Sequence, residues 1–152
     1  MTLNIIRFLN VLMAALVVGS IFGIWIGYNP KDLSAATYIE QQQSVINALN
    51  TLMPILGLIT ILLTLTSAFL QKKEKTIFIT LLIATVFLII SGLTTKFGNQ
   101  PINSIVIAWD MNSPPPNWEE LREKWWTFHK IRTAAGFAGL CLIIWTQMKK
   151  GK

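Results

Sequence analysis

Four long apolar stretches, at about residues 5–28, 51–70, 76–95 and 131–148, leave this chain of 152 residues few ways to fold. A helix rises 1.5 Å per residue, so the first stretch, Ile5 to Tyr28, can cross a hydrocarbon core of about 30 Å with some tilt. No water reaches the backbone inside lipid, and each stretch must close its own hydrogen bonds as a helix. Composition agrees. The chain is 53% hydrophobic and 13% charged, with a mean hydropathy of +0.53, where a soluble domain carries about 25% charged residues. The expected fold is all-α, an integral membrane four-helix bundle. Residues 1–152 form one domain, with a polar outer cap over 96–130.

The net charge of +6 is gathered at two places, the loop holding Lys72, Lys73 and Lys75 and the tail holding Lys149, Lys150 and Lys152. Lysines concentrate on the cytoplasmic side of membrane helices. Four crossings return the chain to its starting side, so both termini are expected in the cytoplasm, in a bacterial-type cytoplasmic membrane. In a soluble protein this charge would suggest nucleic acid. Here the basic residues form no stripe, and nucleic acid is set aside as a partner. Arg7 followed by an apolar run, with Ser34-Ala35-Ala36 further on, has the outline of a signal peptide. The run is too long for one, and an uncleaved membrane helix is expected. Cys141 is the chain's single cysteine. It can build no disulfide framework and reads as a buried structural thiol.

Ala15, Gly19, Gly23 and Gly27 recur every four residues along the first span, a ridge that lets another helix approach closely. Asn29-Pro30-Lys31-Asp32 is a turn, and Ser34 can cap the helix after it. Residues 35–50 read as an amphipathic lead-in continuous with the second span. Ile39, Ile46, Leu49 and Met53 lie on one side, with Glu40, Gln43, Asn47 and Asn50 elsewhere. Pro54 bends that helix and frees carbonyls that need partners. Asn47 serves either a site or the bend. Lys96 to Asn103 is expected to be a polar turn leaving the membrane. Ser104 to Met111, ending near Trp109, is expected to be an interfacial helix.

The most unusual stretch is Asn117 to Gly136, NWEELREKWWTFHKIRTAAG. As a helix it places Trp118, Arg122, Trp125, His129, Arg132 and Gly136 on one face, at steps of four, three, four, three and four. Three prolines precede it, and Asn117 with Glu120 forms a potential capping box. That face runs straight into the fourth span. Three polar sets should therefore meet at the outer end: Glu40 to Asn50, Asn99 to Asn103, and the Trp118 to Arg132 face.

Ionisable groups near a membrane core are costly and point to function. A histidine can take a proton near neutral pH. Arginines can hold an enolate or phenolate, tryptophans can wall an aromatic ligand, and asparagines can orient its oxygens. Together they suit a hydrophobic phenol or quinone-like molecule entering from lipid. The competing class is a non-catalytic membrane module in which the same groups cross-link the end of the bundle or contact a partner. One histidine, one cysteine and seven scattered carboxylates give no zinc or iron spacing. A haem on His129 alone is the metal reading left open.

The motifs QPIN (Gln100 to Asn103) and WWTFHKIRTAAGFAG (Trp125 to Gly139), with Trp118 and Arg122, resemble the anthrone oxygenase-like family of small membrane proteins. QQQSVINALNTLMP, with Asn47 and Pro54, is a weaker match. Fungal members of that family are associated with oxidising anthrones to anthraquinones with dioxygen, with no established metal or flavin. The resemblance implies a cofactor-free oxygenase or a binder of a lipophilic aromatic. It implies His129 as base, Arg132 and Arg122 as anion stabilisers, and Asn103 and Trp125 as positioning groups. Asn47, Asn99 and Trp118 complete the candidate substrate-binding set. The expected partners are a lipophilic small molecule and membrane lipids, and self-association as a homo-oligomer stays open.

Overall fold

A computed structural model of the chain describes residues 2–148, and every regular element among them is helical. The long helices are α1 (Thr2–Gly27), α3 (Leu52–Leu70), α4 (Lys75–Thr94) and α6 (Trp118–Met148); the shorter α2 (Ala35–Leu49) and α5 (Gln100–Val106) meet at one end. Four segments, Thr2–Asp32, Leu52–Leu70, Lys75–Val106 and Trp118–Met148, are long and apolar enough to cross a membrane. α1 and α4 each pack against both α3 and α6. Phe8, Ile26, Leu58, Leu62 and Val86 face outward, while Asn10, Gln42, Thr60, Thr64, Asn99 and His129 are wholly enclosed. A water-soluble protein would invert that arrangement. The chain is an all-helical membrane protein.

One core cluster joins Ala14 of α1, Ala68 of α3, Leu81, Ala84 and Leu88 of α4, and Ile143 of α6. A second, at the other end, joins Ile46, Ile102, Val106, Trp125 and Trp126. Arg7 Nε donates to Gln147 Oε1 at 2.7 Å, and Arg7 shares a cleft with Lys72 and Lys73. The start of α1, the α3–α4 loop and the end of α6 are thus together. The tail lysines, Lys149, Lys150 and Lys152, lie outside the described residues.

Two prolines govern how the short helices attach. Pro54 has no N–H to offer the carbonyl of Asn50. The chain breaks there instead of bending: α2 stops at Leu49 and α3 starts at Leu52. The freed Asn50 carbonyl accepts from Gln100 Nε2 at 3.1 Å, so the break is tied to α5. Pro101, by contrast, leaves the helix unbroken. The expected turn at 96–103 is helical throughout, with a π-turn over Thr95–Asn99 linking α4 to α5. Pro101 falls in the first turn of α5, where a missing N–H is tolerated. α5 ends at Val106, and no helix runs on to Met111. Gln43 Nε2 closes that end by donating to the carbonyls of Val106 (3.1 Å) and Trp109 (2.8 Å).

Other expectations are corrected in detail. Ala15, Gly19, Gly23 and Gly27 face outward, so no helix of this chain occupies the ridge. Cys141 is exposed on α6. Glu120 closes no capping box, because its carboxylate pairs with Lys124 at 2.7 Å.

Gly98, inside the π-turn, packs directly against a ring of α6. A Cβ there would stand 2.5 Å from Cγ of Phe128, the neighbour of His129. A Cβ at Gly19 would meet nothing within 4 Å. Gly98→Ala should therefore destabilise the protein by about 1–3 kcal/mol through overpacking, and Gly19→Ala should not. Denaturant titration in detergent compares the two.

Candidate functional site

The face read from the sequence of α6 is the face that turns inward. Arg122, Trp125, His129, Arg132 and Gly136 are buried and Trp118 is partly so. Opposite it, Ser91, Thr95, Asn99 and Asn103 recur every four residues along α4, the π-turn and α5. Ser91 Oγ donates to the Arg132 carbonyl at 2.9 Å, and Arg132 Nη1 donates to Thr95 Oγ1 at 3.5 Å. Asn99 Nδ2 donates to the Trp125 carbonyl at 3.0 Å, and Trp125 Nε1 donates to Asn103 Oδ1 at 2.8 Å. Steps of four on an α-helix drift by about 40° each. The wider π-turn takes up that drift and keeps the four side chains in one line.

His129 is wholly buried, and both ring nitrogens are engaged. Nε2 lies 3.1 Å from the Ile21 carbonyl of α1. A carbonyl only accepts, so Nε2 carries the proton. Nδ1 then offers its lone pair, and Arg132 donates to it from Nε (3.2 Å) and Nη2 (2.8 Å). This is a neutral imidazole serving as acceptor for a guanidinium. The ring is held flat by its neighbours, 5.0 Å from Trp125 at 9° and 5.3 Å from Trp126 at 4°. Axial ligation of haem would require His129 to give up one of these partners.

Arg132 is 8% exposed and has no ion pair with a carboxylate among the described residues. It borders two cavities. One, of about 270 Å³, is lined mainly by apolar residues of α1, α3 and α4. The other, of about 40 Å³, is lined by Gln42, Asn50, Asn103 and Trp125 among others, and a space of that size holds a water or two. Trp125 and Arg132 face the cavities, whereas His129 sits behind Arg132 and lines neither.

Arg122 belongs elsewhere. Ten residues from Arg132 on a single helix, it is about 15 Å away along the axis. Its guanidinium lies 4.7 Å over the ring of Trp118, Nη2 reaches Glu123 at 3.3 Å, and Nε has no partner. The ring of Tyr38 packs against Trp118 at 5.8 Å. Burial pushes the Tyr38 hydroxyl well above its ordinary value, so it stays protonated. The two arginines expected to act together thus form separate clusters.

Among the other candidates, Asn99, Asn103 and Trp125 are brought together, while Asn47 and Glu40 are exposed. Gln42 and Asn50 hold the places that Asn47 was expected to fill. Asn103 Nδ2 donates to Asn50 Oδ1 at 2.8 Å, Gln42 Nε2 donates to Asn103 Oδ1 at 3.4 Å, and Tyr28 Oη donates to Gln42 Oε1 at 3.3 Å. The signal was present: Gln42 falls three residues after Ile39 and four before Ile46, on the apolar side of α2. Asn103→Ala would leave the Trp125 indole N–H and the Gln42 amide without their acceptor, at a cost of about 1–3 kcal/mol. Asn47→Ala should cost nothing measurable. Chemical denaturation of both variants checks the contrast.

Comparison with known proteins adds a single finding. The profile of the anthrone oxygenase family matches residues 43–142. No match is found among curated proteins or solved structures. The matched stretch contains Asn50, the π-turn, α5 and the Trp118 to Arg132 face, and leaves out α1 with the Ile21 carbonyl. By the extent of that match, the chain belongs to the anthrone oxygenase family.

Proposed function

We propose that the protein is a cofactor-independent oxygenase for a lipophilic phenol-like molecule, which it binds in the 270 Å³ cavity with the ionised oxygen on Arg132. One observation carries this reading: a buried guanidinium without a carboxylate partner among the described residues, at the edge of an apolar cavity. An uncompensated charge in such a place is costly, and an anionic ligand would supply the missing counter-charge. Loss of a proton from an acidic C–H or O–H leaves an electron-rich anion that Arg132 stabilises. With an anthrone-type methylene, that anion adds dioxygen at carbon to give a peroxide. The peroxide then expels water as the carbonyl forms. The proton released at ionisation is recovered in that water, so one dioxygen converts R₂CH₂ to R₂C=O and H₂O. Arg132 is the residue in contact with substrate. His129 is a positioning residue that holds Arg132 through Nδ1. The lysine-rich end supports placing that end in the cytoplasm, with the site toward the outer boundary.

The second reading, a non-catalytic module, draws on the Asn99, Asn103, Trp125, Gln42 and Asn50 network. Its members are paired chiefly with one another and with backbone, as in a frame that closes the helix end. On the oxygenase reading these five are frame around the site, and Arg132 is the buried charge that borders the apolar cavity without a carboxylate partner among the described residues.

Oxygen uptake by the purified protein with anthrone as probe separates the two. Arg132→Gln should lower the rate about 10²–10³-fold. His129→Gln keeps an acceptor for Arg132 and a donor for Ile21, so it should retain most of the activity that His129→Phe loses. Equal loss in both His129 variants would make His129 the base. Uptake indistinguishable from buffer in the wild type would leave the module reading standing.

A further inference from the structure

We infer that the ligand reaches Arg132 sideways from the lipid, through a gap between α3 and α4 at Gly57 and Gly92, and that this glycine pair sets the width of apolar body admitted. This rests on the reading of Arg132 as the group that holds the ligand's anionic end.

α3 and α4 form an antiparallel hairpin. Their register is marked by the rings of Phe69 and Phe78, 5.8 Å apart. Twelve residues back from Phe69 and twelve on from Phe78 bring Gly57 level with Ile90, so Gly57 and Gly92 stand at nearly the same height. Both line the large cavity, and a Cβ on either would meet nothing within 4 Å. At Gly98, Gly136 and Gly139, by contrast, a Cβ would come within 3.3 Å of a neighbour. Those three permit close packing, whereas Gly57 and Gly92 leave space unfilled. Beside the gap, Leu58 and Leu93 line the cavity and are more than half or half exposed. The opening therefore faces the surface that lipid covers.

The cavity also has a direction. Its lining runs from Met53 to Ile61 on α3 and from Lys96 in the π-turn back to Leu88 on α4, about 12 Å along each. Arg132, Thr95 and Gln100 are at the α5 end, and Ile61 and Leu88 are at the other. A ligand that fills it lies along the helices, with one ionisable oxygen at Arg132 and an uncharged body about 12 Å long reaching toward the bilayer centre.

Binding of two phenols of similar length and unequal width, 2-hydroxyanthracene and 4-hexylphenol, to the full chain in lipid nanodiscs tests the inference. Gly57→Leu and Gly92→Leu should each weaken 2-hydroxyanthracene about tenfold or more while changing 4-hexylphenol less than about threefold, and Arg132→Gln should weaken both. If a leucine variant melts earlier than wild type, the corresponding alanine variant, which adds a single methyl to open space, should give the same ordering of probes. Glycine variants that bind both phenols like wild type, with Arg132→Gln still impaired, would overturn the portal and leave the anion site intact. Wild-type binding of both phenols by Arg132→Gln would overturn the anion site itself.

Discussion

A guanidinium buried in a membrane helix needs something to hold it, and here that partner is a neutral imidazole. Arg132 donates twice to Nδ1 of His129, and His129 can accept because its own proton is committed to the Ile21 carbonyl. The chain of bonds runs from α1 through His129 to Arg132 and, by a longer contact, to Thr95 at the start of the π-turn. A carboxylate in the place of His129 would have neutralised the cation. An imidazole fixes its position and leaves its charge uncompensated, which suits a group that receives an anion at the edge of an apolar cavity.

The surrounding fold serves that geometry. α6 is 31 residues long, about 46 Å, and so extends well past the hydrocarbon core. The Trp118 to His129 part of its buried face lies at that extended end. The π-turn keeps Ser91, Thr95, Asn99 and Asn103 opposite it, and π-turns occur often at functional positions. Gly98 admits Phe128 against the turn. Gln100 carries the link onward to the carbonyl freed by Pro54. Pro54 thus costs a backbone hydrogen bond where the structure makes use of the break, whereas Pro101 falls where the missing N–H is tolerated.

Much of this could be read from residue types and spacing. The apolar stretches marked the four long helices, and the alternation of four and three between Trp118 and Gly136 identified the inward face of α6. That works because helical periodicity is local and burial in this chain is strongly one-sided. The π-turn was not legible: Gly98-Asn99 followed by Pro101 has the composition of a turn, and the helix persists there through contacts with α6, far away in sequence. The choice of Asn47 over Asn50 failed for a related reason. The expected polar side, with Glu40 and Asn47, is the outer side of α2; it is the break after Leu49 and the place of Gln42 on the apolar side that bring Asn50 and Gln42 to Asn103. The resemblance gave Arg122 and Arg132 a common role as anion stabilisers, although axial distance separates them. The pairing of His129 with the Ile21 carbonyl spans 108 residues, and no local pattern announces it.

The most direct test is the ¹⁵N spectrum of the imidazole ring at neutral pH, which needs no site assignment because His129 is the chain's single histidine. The expected spectrum is that of a neutral ring with the proton on Nε2 and a bare, hydrogen-bonded Nδ1, and that Nδ1 resonance should shift on Arg132→Gln. An imidazolium spectrum, or a proton on Nδ1, would contradict the arrangement in which His129 holds Arg132 for an anionic ligand.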